Sequence, residues 1–229
     1  MKKNIIDDGF NAELVKTAGF CGLLEIPLVR NPKEFFIPEQ GKFIPLDQIQ
    51  KSKDKSETIH CYIHDKKFKN LIVNITEKVN ELRQFQEIVM PDCSLYYDMP
   101  LILQMANVYL AHQIGHYLQS QGVYVIPNVR WGDERTYTRI IPDEPPFAFL
   151  GYEKHGIYSI GTYGCCQTKE EKRHIKDGLR SMIKELEPKI VLVYGPMPSS
   201  IFNEFKESGV QFVHYENWTK LQHEEKNNG

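Results

Sequence analysis

The stretch Lys189-Ile-Val-Leu-Val-Tyr194 decides the fold of this chain. An uninterrupted run of β-branched and apolar residues that follows Pro188 predicts a strand buried on both faces. On its N-terminal side, Thr168 and Glu171 fit a capping box, which predicts a helix that continues to Leu186. A helix followed by a doubly covered strand is typical of a parallel sheet with crossover helices.

The same alternation extends in both directions from this strand. The sequence predicts further strands at Thr58–Ile63, Glu87–Met90, Val123–Ile126, Tyr158–Gly161 and Val210–Tyr215. It predicts further helices at Phe68–Phe85, from an Asp98 cap to Gln121, and at Ser199–Glu207. Right-handed crossovers then give an α/β protein with a mostly parallel sheet and flanking helices. Two arrangements remain open, an open doubly wound sheet and a partial or distorted β/α barrel.

The N-terminal third of the chain has an irregular pattern. Within it, only Leu23–Val29 has the composition of a strand, and four prolines argue against long helices: Pro27, Pro32, Pro38 and Pro45. We therefore predict an irregular N-terminal extension (1–56) that packs on an α/β domain (57–218), followed by a polar tail (219–229).

The composition narrows the class of protein. The 229 residues carry a net charge of -2, so no global field draws the chain to nucleic acid or to a membrane. No apolar run approaches the roughly 20 residues of a membrane span, and residues 1–10 lack the apolar core of a signal peptide. We expect a cytoplasmic protein. The five irregularly spaced cysteines favour reduced thiols, with a reactive Cys165 or Cys166 as the alternative.

Polar residues cluster just after the predicted strands, where parallel α/β sheets bind their ligands. The candidate site residues selected by this rule are Asp92, Asn128, Arg130, Trp131, Glu134, Arg135, Tyr163 and Tyr194. Among them, Asp92 and Glu134 follow different strands and suit a carboxylate pair for acid–base catalysis or for Mg²⁺ or Mn²⁺. The alternative for Glu134 is a salt bridge to Arg130 or Arg135.

One basic and aromatic cluster is present in the sequence, formed by Arg130, Trp131, Arg135, Tyr137 and Arg139. Guanidinium groups bind phosphate, and aromatic rings such as Trp131 or Tyr163 stack on bases, so a small phosphorylated ligand or nucleic acid is the expected partner. A solvated, salt-bridged loop is the alternative interpretation.

Three glycines lie at or just after the ends of predicted strands: Gly161, Gly164 and Gly195. Glycine there allows backbone amides to approach an anion, although no complete nucleotide-loop motif is present and tight turns alone would explain them. His112 and His116 are spaced like metal ligands, but without the glutamate of a zinc-protease motif we expect them on a wet or subunit-facing stripe.

Three segments form distinctive motifs: Pro91-Asp-Cys-Ser-Leu-Tyr-Tyr-Asp-Met-Pro100, Val125-Ile-Pro-Asn-Val-Arg-Trp-Gly-Asp-Glu134 and Gly161-Thr-Tyr-Gly164. Together they resemble the uncharacterised family catalogued as domain of unknown function 4417. The resemblance covers roughly residues 20–217, with Cys93 and Tyr97 as minor departures. It implies a bacterial or phage and mobile-element setting and supplies no catalytic residues.

Two classes of function follow. The first is an enzyme of nucleotide or nucleic-acid metabolism, a hydrolase of an N-glycosidic or phosphoester bond, with Asp92 and Glu134 as its carboxylates. The second is a non-catalytic protein of a phage or mobile element that binds a ligand or a host protein. Carboxylates on separate strands favour the first class, and the missing catalytic motif favours the second.

Overall fold

The computed structural model describes residues 11–222, whose main elements are nine strands and six α-helices. The strands are β1 (Phe20–Cys21), β2 (Ile26–Pro27), β3 (Phe43–Pro45), β4 (Thr58–His60), β5 (Glu87–Val89), β6 (Val125–Ile126), β7 (Ile157–Gly161), β8 (Ile190–Tyr194) and β9 (Gln211–Tyr215). The helices are α1 (Asp65–Val73), α2 (Ile75–Leu82), α3 (Leu101–Ser120), α4 (Glu134–Tyr137), α5 (Lys169–Leu186) and α6 (Ser199–Phe202).

Seven of the strands run parallel and follow one another in chain order. Strands β3-β4-β5-β6 form one ladder and β7-β8-β9 form another, whereas β1 and β2 pair antiparallel. A parallel bridge between Asn128 and Ser159 joins the two ladders, with the Ser159 amide donating to Pro127 O at 2.8 Å. The prediction of an α/β protein with a mostly parallel sheet and flanking helices is confirmed.

The sheet curls but does not close. Within residues 11–222 no ladder joins β3 to β9, yet these two strands approach each other through side chains. The ring centroids of Phe43 and Tyr215 lie 4.3 Å apart, and the Tyr215 hydroxyl donates to Pro38 O at 2.6 Å. Because the strand order never reverses, as it does in a doubly wound sheet, the arrangement is that of a partial β/α barrel.

Strand β8 shows why the two faces of the sheet are both apolar. Val191 and Val193 pack with α5 and α6 in one core cluster, while Leu192 and Tyr194 point to the opposite, enclosed face. Side chains in or just after every parallel strand contribute to that enclosed cluster, which consists of Phe43, Tyr62, Val89, Ile126, Ile157, Leu192, Tyr194 and Tyr215. Successive side chains of each strand point to opposite faces of the sheet. One set therefore fills the enclosed interior, and the other set packs against the helices.

Several predicted elements differ from the observed ones for local reasons. The single helix predicted at Phe68–Phe85 is two helices, because the backbone breaks at Asn74, which ends α1 and precedes α2. Asp98 does not cap α3: the capping position is Pro100, which provides no side-chain hydrogen bond. Helix α4 was not predicted, although Asp133 caps it by accepting from the Arg135 amide.

The N-terminal third contributes more to the sheet than its pattern indicates. Only Ile26–Pro27 of the predicted strand Leu23–Val29 forms a strand, because Gly22 and Glu25 adopt positive φ angles in a turn. Val29 makes an isolated parallel bridge to Tyr152. Strand β3 was not predicted, and it pairs with β4. The division at residue 56 stays a prediction, and residues 223–229 of the predicted tail lie outside the described residues. No helix in the described part of the chain is long and apolar enough to cross a membrane.

Glu87 in β5 makes the stability of this fold depend on pH. Its side chain is enclosed, 1% of the residue is exposed, and burial raises its pKa to about 7. The folded protein therefore favours the neutral acid, and the stability that this gives is lost as pH rises from the unfolded pKa of about 4.5 through 7.

Glu87→Gln should accordingly change the pH profile of unfolding. Glutamine has no charge to bury. The unfolding free energy of the variant minus that of the wild-type protein should therefore increase by about 2 kcal/mol from pH 5 to pH 8. Urea unfolding of both proteins at the two pH values measures this difference. If the unfolding free energies of the two proteins changed with pH in the same way, the pKa of Glu87 would be the same in the folded and unfolded states.

Candidate functional site

One cavity of about 350 Å³ lies at the C-terminal edge of the parallel strands. Each of the strands β3 to β9 supplies a lining residue from its last position or from the segment that follows it. We call this the strand-end cavity, and its principal lining residues, in strand order, are Pro45, Tyr62, His64, Lys67, Asp92, Ser94, Tyr96, Arg130, Gly161, Tyr163, Gly164, Cys165, Tyr194, Asn217 and Trp218. The curled sheet thus brings together segments that are far apart in the sequence.

A hydrogen-bonded network positions Asp92 at this cavity. The Asn128 side-chain amide donates to Asp92 Oδ1 at 2.9 Å, and the Tyr62 hydroxyl donates to Asn128 Oδ1 at 2.8 Å. Ser159 Oγ lies 2.6 Å from the same hydroxyl. Burial raises the pKa of Tyr62 well above its usual value, so the phenol remains protonated and fixes the orientation of Asn128. Asp92 is thereby held in one position, with an exposed side-chain fraction of 12%.

Arg130 provides the positive charge beside Asp92. Its Nη1 lies 3.6 Å from Asp92 Oδ2 and donates to Gly161 O at 3.3 Å, and its Nη2 donates to Cys165 Sγ at 3.2 Å. Burial disfavours the cation, but the neighbouring Asp92 and Cys165 outweigh it and raise the pKa of Arg130 above its usual value. The guanidinium is therefore charged, and its Nε is enclosed with no hydrogen-bond partner among the described groups.

Tyrosine rings form one wall of the cavity. Tyr194 stacks on Tyr62 with centroids 4.8 Å apart and an interplanar angle of 14°, and its hydroxyl accepts from the Trp218 amide at 2.9 Å. Tyr163 is half exposed at the opening. Tyr194 is thus a fixed part of the wall, whereas the ring of Tyr163 presents a face to solvent.

The three glycines have different surroundings. A Cβ at Gly161 would approach the Tyr62 ring to 2.6 Å, and Gly195, with φ of 103°, lies against the Tyr163 backbone. Gly164 also has a positive φ but has open space around it. Just before α5, the Glu171 carboxylate already accepts from the Gln167 and Thr168 amides, so these two donors are not available to an anion.

Five of the predicted site residues do not line the strand-end cavity. Two of them, Asn128 and Gly195, lie directly behind it, against Asp92 and the Tyr163 backbone. The other three are Glu134, Arg135 and Trp131. Glu134 is exposed at the start of α4, so the structure does not bring it to the cavity with Asp92. Arg135 is paired with Asp133 at 2.7 Å. Trp131 is buried, and its indole N–H donates to His174 O at 2.9 Å.

The metal-like spacing of His112 and His116 has a structural explanation. His112 is buried rather than on a wet stripe, and its Nδ1 lies 2.8 Å from Pro27 O, so this histidine fastens β2 to α3. His116 Nδ1 makes the corresponding contact to Leu28 O at 3.2 Å. Among residues 11–222, no group of three or more His, Cys, Asp and Glu side chains is placed to hold a metal ion.

The cavity also contains residues that the sequence did not indicate. Tyr62 was assigned to the interior of a strand ending at Ile63, but β4 ends at His60, so Tyr62 lies beyond the strand end. Lys67 reaches the cavity from the first turns of α1, where it pairs with Asp47 at 2.7 Å. Recognising that the strand was shorter would have selected Tyr62 by the same rule that selected Asp92.

Comparison with known proteins identifies relatives that match about three fifths of this chain. The chain is 28% identical to the Gene 1 protein of Mycobacterium phage L5 over 139 residues, which cover 61% of this chain and 57% of the relative. It is 26% identical to the Gene 1 protein of Mycobacterium phage D29 over 137 residues, covering 60% and 48%. The chain thus spans about half the length of the curated relatives it matches. No solved structure matches it.

A family model matches nearly the whole described chain. The match extends over residues 18–216, which include the strands of both ladders and the principal lining residues of the strand-end cavity apart from Asn217 and Trp218. The resemblance that the three sequence segments indicated is therefore confirmed. This chain belongs to the family described as Domain of unknown function (DUF4417).

Proposed function

We propose that the strand-end cavity binds a small phosphorylated ligand of the nucleotide class. The observation that carries this proposal is the convergence of all seven parallel strands on one cavity that contains a charged guanidinium. In β/α barrels the ligand site lies at this edge of the sheet, and a volume of about 350 Å³ suits a small molecule.

Arg130 is the anchor for the phosphate in this proposal. Its contacts to Gly161, Cys165 and Asp92 hold the guanidinium in place, and a fixed planar fork of N–H groups matches the oxygens of a phosphate. Tyr163 and Gly164 also line the cavity, and their backbone amides donate to no described acceptor. They supply further donors for the same anion.

Hydrolysis of the bound ligand is the second candidate function, and the position of Asp92 supports it. Its carboxylate lines the cavity next to the proposed phosphate anchor, and the Asn128–Tyr62 network fixes its direction. A carboxylate so placed accepts a proton from an attacking water as a phosphoester or N-glycosidic bond breaks. Because Glu134 does not reach the cavity, the proposed mechanism uses one carboxylate, with Mg²⁺ or Mn²⁺ as an added component to be tested.

Arg130→Lys tests the binding proposal. Lysine keeps the positive charge but loses the fork, so the Kd of a phosphorylated ligand should rise by about 10- to 100-fold. Isothermal titration of a nucleotide panel, with and without Mg²⁺ or Mn²⁺, measures this change. Arg139→Lys is the matched control, because Arg139 pairs with Glu185 and does not line the cavity. Equal losses in both variants, or none in either, would contradict the role of Arg130.

Chromatography of the same mixtures separates the two candidate functions. A hydrolase converts a member of the panel to products, and the purified protein should do so with nucleotides or short nucleic acids. Binding without any product would favour the alternative, a non-catalytic protein that holds a ligand or engages a host protein.

A further inference from the structure

A second cavity, of about 190 Å³, opens beside the first. We call it the adjoining cavity. The two cavities share four residues, which are Tyr96, Arg130, Gly164 and Cys165. A ligand that contacts Arg130 can therefore extend from one cavity into the other without leaving the protein surface.

The walls of the adjoining cavity differ in chemistry from those of the strand-end cavity. Apart from the shared residues and Glu171, its walls are apolar or aromatic: Leu95, Tyr97, Trp131, Gly132, His174 and Ile175. The strand-end cavity instead carries Asp92, Lys67 and Asn217. One side thus suits the charged part of a ligand, and the other suits a flat, weakly polar part.

Two rings in the adjoining cavity are aligned for stacking. The rings of Tyr97 and His174 lie 13° from parallel, with centroids 6.4 Å apart. His174 is fixed, because it is buried and its Nδ1 lies 2.9 Å from the Tyr137 hydroxyl. Tyr97 is half exposed, so its ring face is accessible. A planar ring that stacks on Tyr97 therefore also lies nearly parallel to the ring of His174.

Trp131 has a structural role in this cavity. Its indole N–H donates to His174 O, and a Cβ at Gly178 would overlap the indole, so the ring is packed directly against α5. Trp131 was predicted as a stacking platform, but these contacts hold it in the wall. Two half-exposed tyrosines line this cavity, Tyr96 and Tyr97, and Tyr97 is the one whose ring is aligned with that of His174.

We propose that the adjoining cavity binds the nucleobase of a ligand whose phosphate lies at Arg130. This inference rests on the proposed function of the strand-end cavity and adds a second subsite, so that the nucleotide is recognised by its base as well as by its phosphate. Base stacking on an aromatic side chain tolerates every base, so the affinity should depend on the presence of a base before it depends on which base is present.

The test compares ligands with and without a base. Titration of the wild-type protein with the four ribonucleoside 5′-monophosphates and with ribose 5-phosphate should give a lower Kd for nucleotides. Tyr97→Ala should raise the nucleotide Kd by about 10-fold and leave the ribose 5-phosphate Kd unchanged. Tyr97→Phe keeps the ring face and should retain the wild-type Kd. Phe36→Ala, which truncates a similarly exposed ring outside both cavities, is the control.

Each result has a distinct meaning. Equal affinity for nucleotides and ribose 5-phosphate, unaffected by Tyr97→Ala, overturns the base-binding role and leaves the phosphate site standing. No binding of any of these ligands to the wild-type protein overturns both proposals. A loss with Tyr97→Phe as large as with Tyr97→Ala assigns the effect to the hydroxyl, which contradicts stacking.

Discussion

Leu192→Ala should lower the unfolding free energy by about 2–5 kcal/mol. Leu192 has 0% exposure in β8 and belongs to the enclosed cluster formed by all seven parallel strands. Removing three side-chain carbons there loses apolar burial and leaves a cavity, because the surrounding strands are held by ladders on both sides of β8. Urea or thermal unfolding with circular dichroism detection measures the loss.

Leu23→Ala is the matched control for this prediction. Leu23 is 74% exposed, so the same truncation there should change stability by less than about 0.5 kcal/mol. A change of under about 1 kcal/mol at Leu192 would mean that β8 is not the central, doubly covered strand of the sheet.

The parts of the fold that the sequence could predict are those with a strong local signal. The apolar run at β8 and the capping box at Thr168 both correspond to observed elements. Strand β3 has three residues and ends at Pro45, so it has no period to detect. Its place in the sheet depends on pairing with β4, which is a tertiary property and not a local one.

The candidate site shows the same limit of local rules. Asp92 and Arg130 lie within four residues of the strands that precede them. In the structure, Arg130 Nη1 lies 3.6 Å from Asp92 Oδ2. Glu134 follows the same strand as Arg130, but the Asp133 cap starts α4 and turns the chain before it. The strand-end rule thus selects cavity residues among those that lie between the end of a strand and the start of the next helix, and it fails for residues inside that helix.

Asp92→Asn carries the largest expected effect on activity. Asparagine has nearly the same shape, so the fold should persist, but it cannot accept a proton at neutral pH. If the cavity hydrolyses its ligand, turnover should fall by about 100-fold or more. Asp98→Asn, which makes the same change at an exposed residue outside both cavities, should leave turnover unchanged.

Binding and turnover should move separately in the Asp92→Asn protein. The substitution removes a negative charge 3.6 Å from Arg130, which makes the surroundings of the proposed phosphate more positive. The Kd of a phosphorylated ligand should therefore stay the same or fall, while the product disappears. A merely structural role of Asp92 predicts the opposite, because loss of its hold on Arg130 would weaken binding and turnover together. Undiminished turnover in Asp92→Asn would remove this carboxylate from the mechanism and leave Arg130 as the essential charge of the site.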